Sequence, residues 1–227
     1  MTAAVGLYAE LKLPAPWTPS AGTDDQKKQQ TGPLVVYGAA SAVGAFAIQF
    51  AQKSDIHPII AIAGRGEKFV ETLIDRSKGD TIVDYRKGDD ALVQGIKDAL
   101  KGRKLCYAFD AISEHNSYYN IANVLERGKD VGHLTVVLPV EEKAKETLNA
   151  FDTSMTYVAR VHGEYKDFGF VYFRAMGRGL QQGWLKAHPQ EVVKGGLAGV
   201  EGALRNLKEG KASAVKYVFR IAETPGL

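Results

Sequence analysis

Ser41, Arg65 and Tyr85 are side chains whose types and positions suit a phosphorylated ligand. Ser41 lies in the stretch 34–44, where the apolar run Leu34-Val35-Val36-Tyr37 ends in small residues. An apolar helix pattern follows at once, through Val43, Phe46, Ala47, Phe50 and Ala51. Strand, tight turn and helix in that order form the layout of a dinucleotide-phosphate site. Small residues let backbone approach a pyrophosphate, and the helix N-terminus offers free N–H groups and the positive end of its dipole. Gly38, Ala39, Ser41, Ala42, Val43 and Gly44 are therefore the candidate phosphate-binding positions. In the Gly-x-Gly-x-x-Gly frame the three key positions are Ala39, Ser41 and Gly44, so only the last is glycine, with Gly38 one residue ahead of the frame.

The second strand ends Ile62-Ala63-Gly64-Arg65-Gly66. An acidic residue that would take ribose hydroxyls is absent there. Gly64 leaves room, and Arg65 provides a planar cation suited to a 2′-phosphate, a pair that favours NADPH over NADH. The plainer reading of Arg65 is an exposed loop arginine. Tyr85, after the third strand, is placed to cover the adenine or ribose end, with Arg86 adding charge near the phosphates; a turn tyrosine resting on the sheet is the alternative. Ala111, at the end of the fourth strand, leaves space for a nicotinamide ring, and Leu138, at the end of the fifth, is a candidate apolar wall beside it. Asp110 reads as a helix-capping or loop-tying residue, with an acid catalyst as the alternative, and Ser113 as a cap for the next helix. None of His57, His115, His133, His162 and His188 pairs at metal-ligand spacing, so each reads as a surface or cap residue. Sequence alone identifies no catalytic acid, base or nucleophile.

The elements that must position these residues alternate. Strands are expected at Leu34–Tyr37, Pro58–Ala63, Thr81–Asp84, Leu105–Asp110 and Val131–Leu138. Helices are expected at Ala42–Lys53, Glu67–Arg76, Asp89–Lys101 and Glu114–Glu126. Strands that are apolar throughout and separated by helices imply a doubly wound parallel α/β sheet of Rossmann type. Ser154–Arg160 reads as an edge strand, Asp167–Ala187 as an aromatic-rich helix closed by Pro189, Val200–Lys208 as a helix and Val215–Ile221 as a last strand. The chain divides into 1–33, a short helix and a polar, proline-containing loop; 34–160, the nucleotide-binding domain; and 161–227, C-terminal helices and a strand.

Bulk properties narrow the function. The 227 residues are 45% hydrophobic and 24% charged, ordinary for a globular fold. The 29 basic and 26 acidic residues are interspersed, which argues against a nucleic-acid surface. One cysteine, Cys106, excludes an internal disulfide framework and a cysteine-rich zinc site. No run reaches transmembrane length and no signal-peptide pattern opens the chain, which makes the cytoplasm the default location.

With these pieces in place the sequence resembles the medium-chain dehydrogenase/reductase superfamily, closest to its zinc-independent quinone oxidoreductases and fungal enoyl reductases. Thr2-Ala3-Ala4-Val5-Gly6-Leu7 is similar to the helix that precedes that family's nucleotide domain, and Val36–Gly44 to its phosphate turn. Ile82–Arg86 is similar to its third strand, and Leu204, Leu207, Gly210-Lys211 and Val215–Ile221 to its closing helix, turn and strand. The resemblance implies NADP(H) as cofactor and hydride transfer to an enone, quinone or acyl thioester. A non-catalytic NADPH-binding sensor or partner subunit is the alternative. The resemblance also implies a homodimer through the β-prone edge near Met155–Ala159. The family carries a GroES-like domain ahead of the first helix, which is expected to be missing here. A gene read too short, a piece cut to the cofactor domain and a shortened paralogue would each account for that. The expected consequences are exposed apolar surface and low turnover by this chain alone.

Overall fold

The structure is a computed structural model that describes residues 1–17 and 32–226. The polar loop expected around residues 23–30 lies outside them.

Six parallel strands build the main sheet: β1 (Leu34–Tyr37), β2 (Ile59–Ala63), β3 (Thr81–Asp84), β4 (Tyr107–Asp110), β5 (His133–Val136) and β6 (Asp152–Met155). Their spatial order is β3-β2-β1-β4-β5-β6, so the winding reverses between β1 and β4. Every residue of β1 and β2 is buried, as a strand covered on both faces requires. Alternation along β1 serves both layers. Leu34 and Val36 join the core on one face, and Val35 and Tyr37 join the core on the other.

The first face is covered by α1 (Thr2–Ala4, continued to Glu10 by a wider turn), α2 (Ala42–Lys53), α3 (Glu67–Glu71) and the long α7 (Lys166–Gln182). Leu11 N–H bonds to the Gly6 carbonyl, five residues back, at 2.9 Å. Gly6 lets α1 sit directly on β4, because a Cβ there would stand 2.2 Å from the Phe109 ring. The other face carries α4 (Asp89–Leu100), α5 (Ser117–Ala122) and α6 (Ala144–Leu148).

The C-terminal segment docks beside α2. Tyr172 of α7 is buried in an aromatic cluster with Tyr8, Phe50 and Phe168. The Gln49 amide accepts the Lys186 N–H at 2.7 Å and donates to the Lys186 carbonyl at 3.3 Å. Beyond this, β7 (Gln190–Val193), α8 (Val200–Lys208) and β8 (Lys216–Phe219) form a small parallel βαβ unit. Large apolar side chains do stand exposed, among them Phe170 and Phe173 on α7 and Leu204 and Leu207 on α8.

Several elements differ from the sequence reading. α3 stops at Glu71, and Asp75 then caps a separate short turn by accepting the Ser77 N–H. The helix expected from Glu114 starts at Ser117, because Ser113, His115 and Asn116 all have positive φ. Ser113 is not its cap; its hydroxyl accepts the Val137 N–H and donates to the Asp110 carbonyl. The edge strand is 152–155, and Val158–His162 coils into a helical turn, so only Met155 of the expected 155–159 segment belongs to β6. α7 ends at Gln182, closed by Gly183 in the left-handed conformation rather than by Pro189. β7 was not expected from its half-polar, exposed sequence Gln-Glu-Val-Val.

Candidate functional site

The carboxyl ends of β1, β2 and β3 open into a cavity of about 560 Å³, beside the point where strand order reverses. In open α/β sheets that crevice is where ligands bind.

The turn between β1 and α2 forms its floor. Gly38 adopts φ +74°, and a Cβ there would lie 2.4 Å from Ile112. Gly38 thus supplies the turning glycine that the frame position Ala39 lacks. Ala39 N–H bonds to the Ile62 carbonyl at 2.9 Å, tying the turn to β2. Ser41 is the N-cap of α2, its hydroxyl accepting the Gly44 N–H at 3.0 Å. The N–H groups of Ala42 and Val43 stay outside the intrahelical ladder and can meet an anion. A Cβ at Gly44 would fall 2.3 Å from the Gly38 carbonyl oxygen, so only glycine lets α2 approach the turn this closely.

The wall beyond β2 is Gly64, Arg65 and Gly66. Gly64 does leave room, but the ring of Tyr85 fills it: a Cβ at 64 would stand 2.7 Å from that ring. Tyr85 also stacks on Tyr37, with centroids 6.4 Å apart, and stays half-exposed toward the cavity. Burial, with the Asp110 charge adding, pushes the Tyr37 hydroxyl up to about 12, so it is a neutral lining group at pH 7. Arg65 donates from Nη2 to the Gly210 carbonyl, leaving its other N–H groups for a ligand. Arg86 does not line the cavity. It turns back on Asp84, at 2.6 and 2.9 Å, and holds that carboxyl down at about 2.

Of the candidate residues, Gly38, Ser41, Ala42, Gly64, Arg65 and Tyr85 line the one cavity. Ala39 and Gly44 lie buried beneath it, shaping the turn. Val43, Ala111 and Leu138 are not among its lining residues; Ala111 is buried and Leu138 is exposed. Asp110 is loop-tying, as its position implied. It is fully buried and accepts from Ile112 N–H, Ser113 N–H and the Ser117 hydroxyl at 3.0, 2.8 and 2.5 Å.

The rest of the lining was missed. Asp89, Glu114 and His115 enter from the α4 and α5 side. His188, Ser213, Ala214 and Lys216 enter from the β7–β8 unit. The Lys216 N–H bonds to the Pro189 carbonyl at 2.8 Å, so the pairing of the two strands sets His188 beside Lys216. His115 is exposed, as expected of a surface histidine, and also lines the cavity, whereas His188 is half-buried there. Among the described residues no group of three or more His, Cys, Asp or Glu side chains is placed to hold a metal, and no helix is long and apolar enough to cross a membrane.

No protein-family model matches the chain. A trans-enoyl reductase of Gibberella fujikuroi is 50% identical over 198 residues, covering 87% of this chain and 56% of that protein. A trans-enoyl reductase of Aspergillus sclerotiorum is 29% identical over 235 residues, covering 95% of this chain and 63% of that one. The chain thus spans little more than half the length of these relatives. Among solved structures, CurA from Vibrio vulnificus in complex with NADPH superposes with a TM-score of 0.67 at 18% identity, over 95% of this chain and 60% of that one. The order of motifs, the sheet topology and the 50% identity agree: the chain is similar to trans-enoyl reductases over little more than half of their length.

Proposed function

We propose that this chain forms the nucleotide-binding portion of an NADPH-dependent, zinc-independent reductase of the trans-enoyl type. The observation that carries this is the cavity itself, in which a phosphate turn, the capped N-terminus of α2 and the Arg65 cation meet beside the reversal of strand order. The likeness to trans-enoyl reductases supports the reaction class.

The residues present fit the cofactor. The side-chain-free turn at Gly38 and Gly44 and the free N–H groups of α2 suit a pyrophosphate. Arg65 suits the 2′-phosphate, and Tyr85 the adenosine. When bound, NADPH supplies hydride to the β-carbon of an activated double bond in an enone or acyl thioester, or to a quinone. This chain's part is to hold and orient the dinucleotide, with Ala111 and Leu138 assigned to the nicotinamide end. Residues 1–33, 34–160 and 161–227 serve as lead-in, nucleotide domain and C-terminal unit. The protein is assigned to the cytoplasm. It is proposed to pair as a homodimer along the β6 edge, where Met155, Tyr157 and Val158 are exposed.

The deciding experiment is a fluorescence titration of the purified chain with NADPH and NADH. Micromolar NADPH binding, with NADH much weaker, is expected. Binding of neither would sink the reading. A monomeric mass by light scattering at micromolar concentration would remove the dimer.

A further inference from the structure

His188 stands apart from the other lining residues. Its Nδ1 is sealed from solvent and has no hydrogen-bond partner among the described residues. A proton on that nitrogen would be an unsatisfied buried donor, which costs free energy. The favoured tautomer therefore carries its proton on Nε2, the nitrogen left to serve a ligand. Burial and the neighbouring Lys216 charge both lower the pKa of the ring, so the imidazole is neutral at pH 7. Edge-on packing against Phe69, with centroids 5.0 Å apart, fixes its orientation. Lys216 is exposed at the same cavity and is set beside His188 by the β7–β8 pairing. A fixed neutral N–H donor next to a mobile ammonium is a combination that recognises a phosphate oxygen.

We propose that His188 and Lys216 form a second phosphate-binding wall of the cavity, contributed by the β7–β8 unit. The inference rests on the dinucleotide reading given above. It adds that the nucleotide is gripped from both units of the chain, by α2 and Arg65 on one and by His188 and Lys216 on the other. The phosphate concerned is either the 2′-phosphate or the pyrophosphate, two sources of one chemistry.

The test uses the 227-residue chain and two loss-of-contact variants, with Lys216→Arg as the rescue. His188→Phe keeps an aromatic ring against Phe69 and removes the donor; Lys216→Met changes an exposed side chain and keeps its apolar stem. Each is titrated with NADPH, NADH and 2′,5′-ADP, and thermal melting by circular dichroism checks that it folds. Each variant is expected to weaken NADPH binding about 5- to 10-fold, as loss of one charge-assisted contact does, and Lys216→Arg to restore most of it. Weakened NADPH and 2′,5′-ADP with NADH unchanged assigns the 2′-phosphate. Equal weakening of NADPH and NADH assigns the pyrophosphate. Wild-type affinity in folded Lys216→Met and His188→Phe would overturn the inference and leave the cofactor reading standing. No NADPH binding by the wild-type chain would overturn both.

Discussion

The Arg65 guanidinium donates to the Gly210 carbonyl, a contact that spans 145 positions of sequence. It joins the loop after β2 to the turn between α8 and β8, and both segments contribute residues to the cavity lining. Arg65 is therefore both a candidate phosphate ligand and a tether between the two units. Arg65→Ala is expected to raise the NADPH dissociation constant about 10-fold, equivalent to ~1.4 kcal/mol, while changing NADH binding less than about two-fold. Hydrogen exchange in residues 207–216 should quicken in the same variant. Equal losses for the two cofactors would remove the 2′-phosphate role.

Ser41 caps α2 through the Gly44 N–H. Ser41→Ala should cost about 1 kcal/mol and lower the melting temperature by about 2–4 °C for a chain of this size. Ser41→Asp keeps the cap but brings a negative charge to the phosphate turn. It should hold the melting temperature while abolishing NADPH binding, and a variant that still binds tightly would place the phosphates elsewhere.

Gly6 packs against the fully buried Phe109 ring. Gly6→Ala forces a methyl into that contact and should destabilise the chain by about 1–3 kcal/mol in chemical denaturation. Phe109→Leu introduced alongside it should recover part of the loss, since the two side chains share one space. Purely additive effects would place the cost of Gly6→Ala elsewhere.

The reach of sequence reading differs around the cavity for physical reasons. β1, its turn and α2 were legible because an unbroken apolar run, small turn residues and helical periodicity are local signals on consecutive residues. The loop-tying role of Asp110 was legible from its place at a strand end. His188 and Lys216 were not, since β7 exposes most of its surface and has no apolar run to mark it. Their approach is made by strand pairing across the α8 crossover. The start of α5 was misplaced because three consecutive-region residues, Ser113, His115 and Asn116, take positive φ without being glycine. The signal for the end of α7 was present in Gly183 and was outweighed by Pro189.

Asp84 provides a pH test. The Arg86 hydrogen bond, ahead of other effects, holds its carboxyl at about 2, below the ordinary 3.8. A depressed carboxylate contributes stability that is present above about pH 4 and lost as pH falls through 2. The pair is partly exposed, so the effect should stay below about 1 kcal/mol. Asp84→Asn should flatten that part of the acid limb when denaturation midpoints are compared from pH 5 down to pH 2. An unchanged limb would show that the pair contributes nothing measurable.

Two of the glycines that shape the cavity differ in the changes they permit. At Gly64 the obstacle to a larger residue is the ring of Tyr85, a side chain that a second substitution could shrink. At Gly44 the obstacle is the carbonyl oxygen of Gly38, which every amino acid carries. Position 64 can therefore drift in partnership with position 85, and a lineage that alters one can be rescued at the other. Position 44 has no partner able to compensate, and a lineage that loses this glycine must rebuild the turn itself.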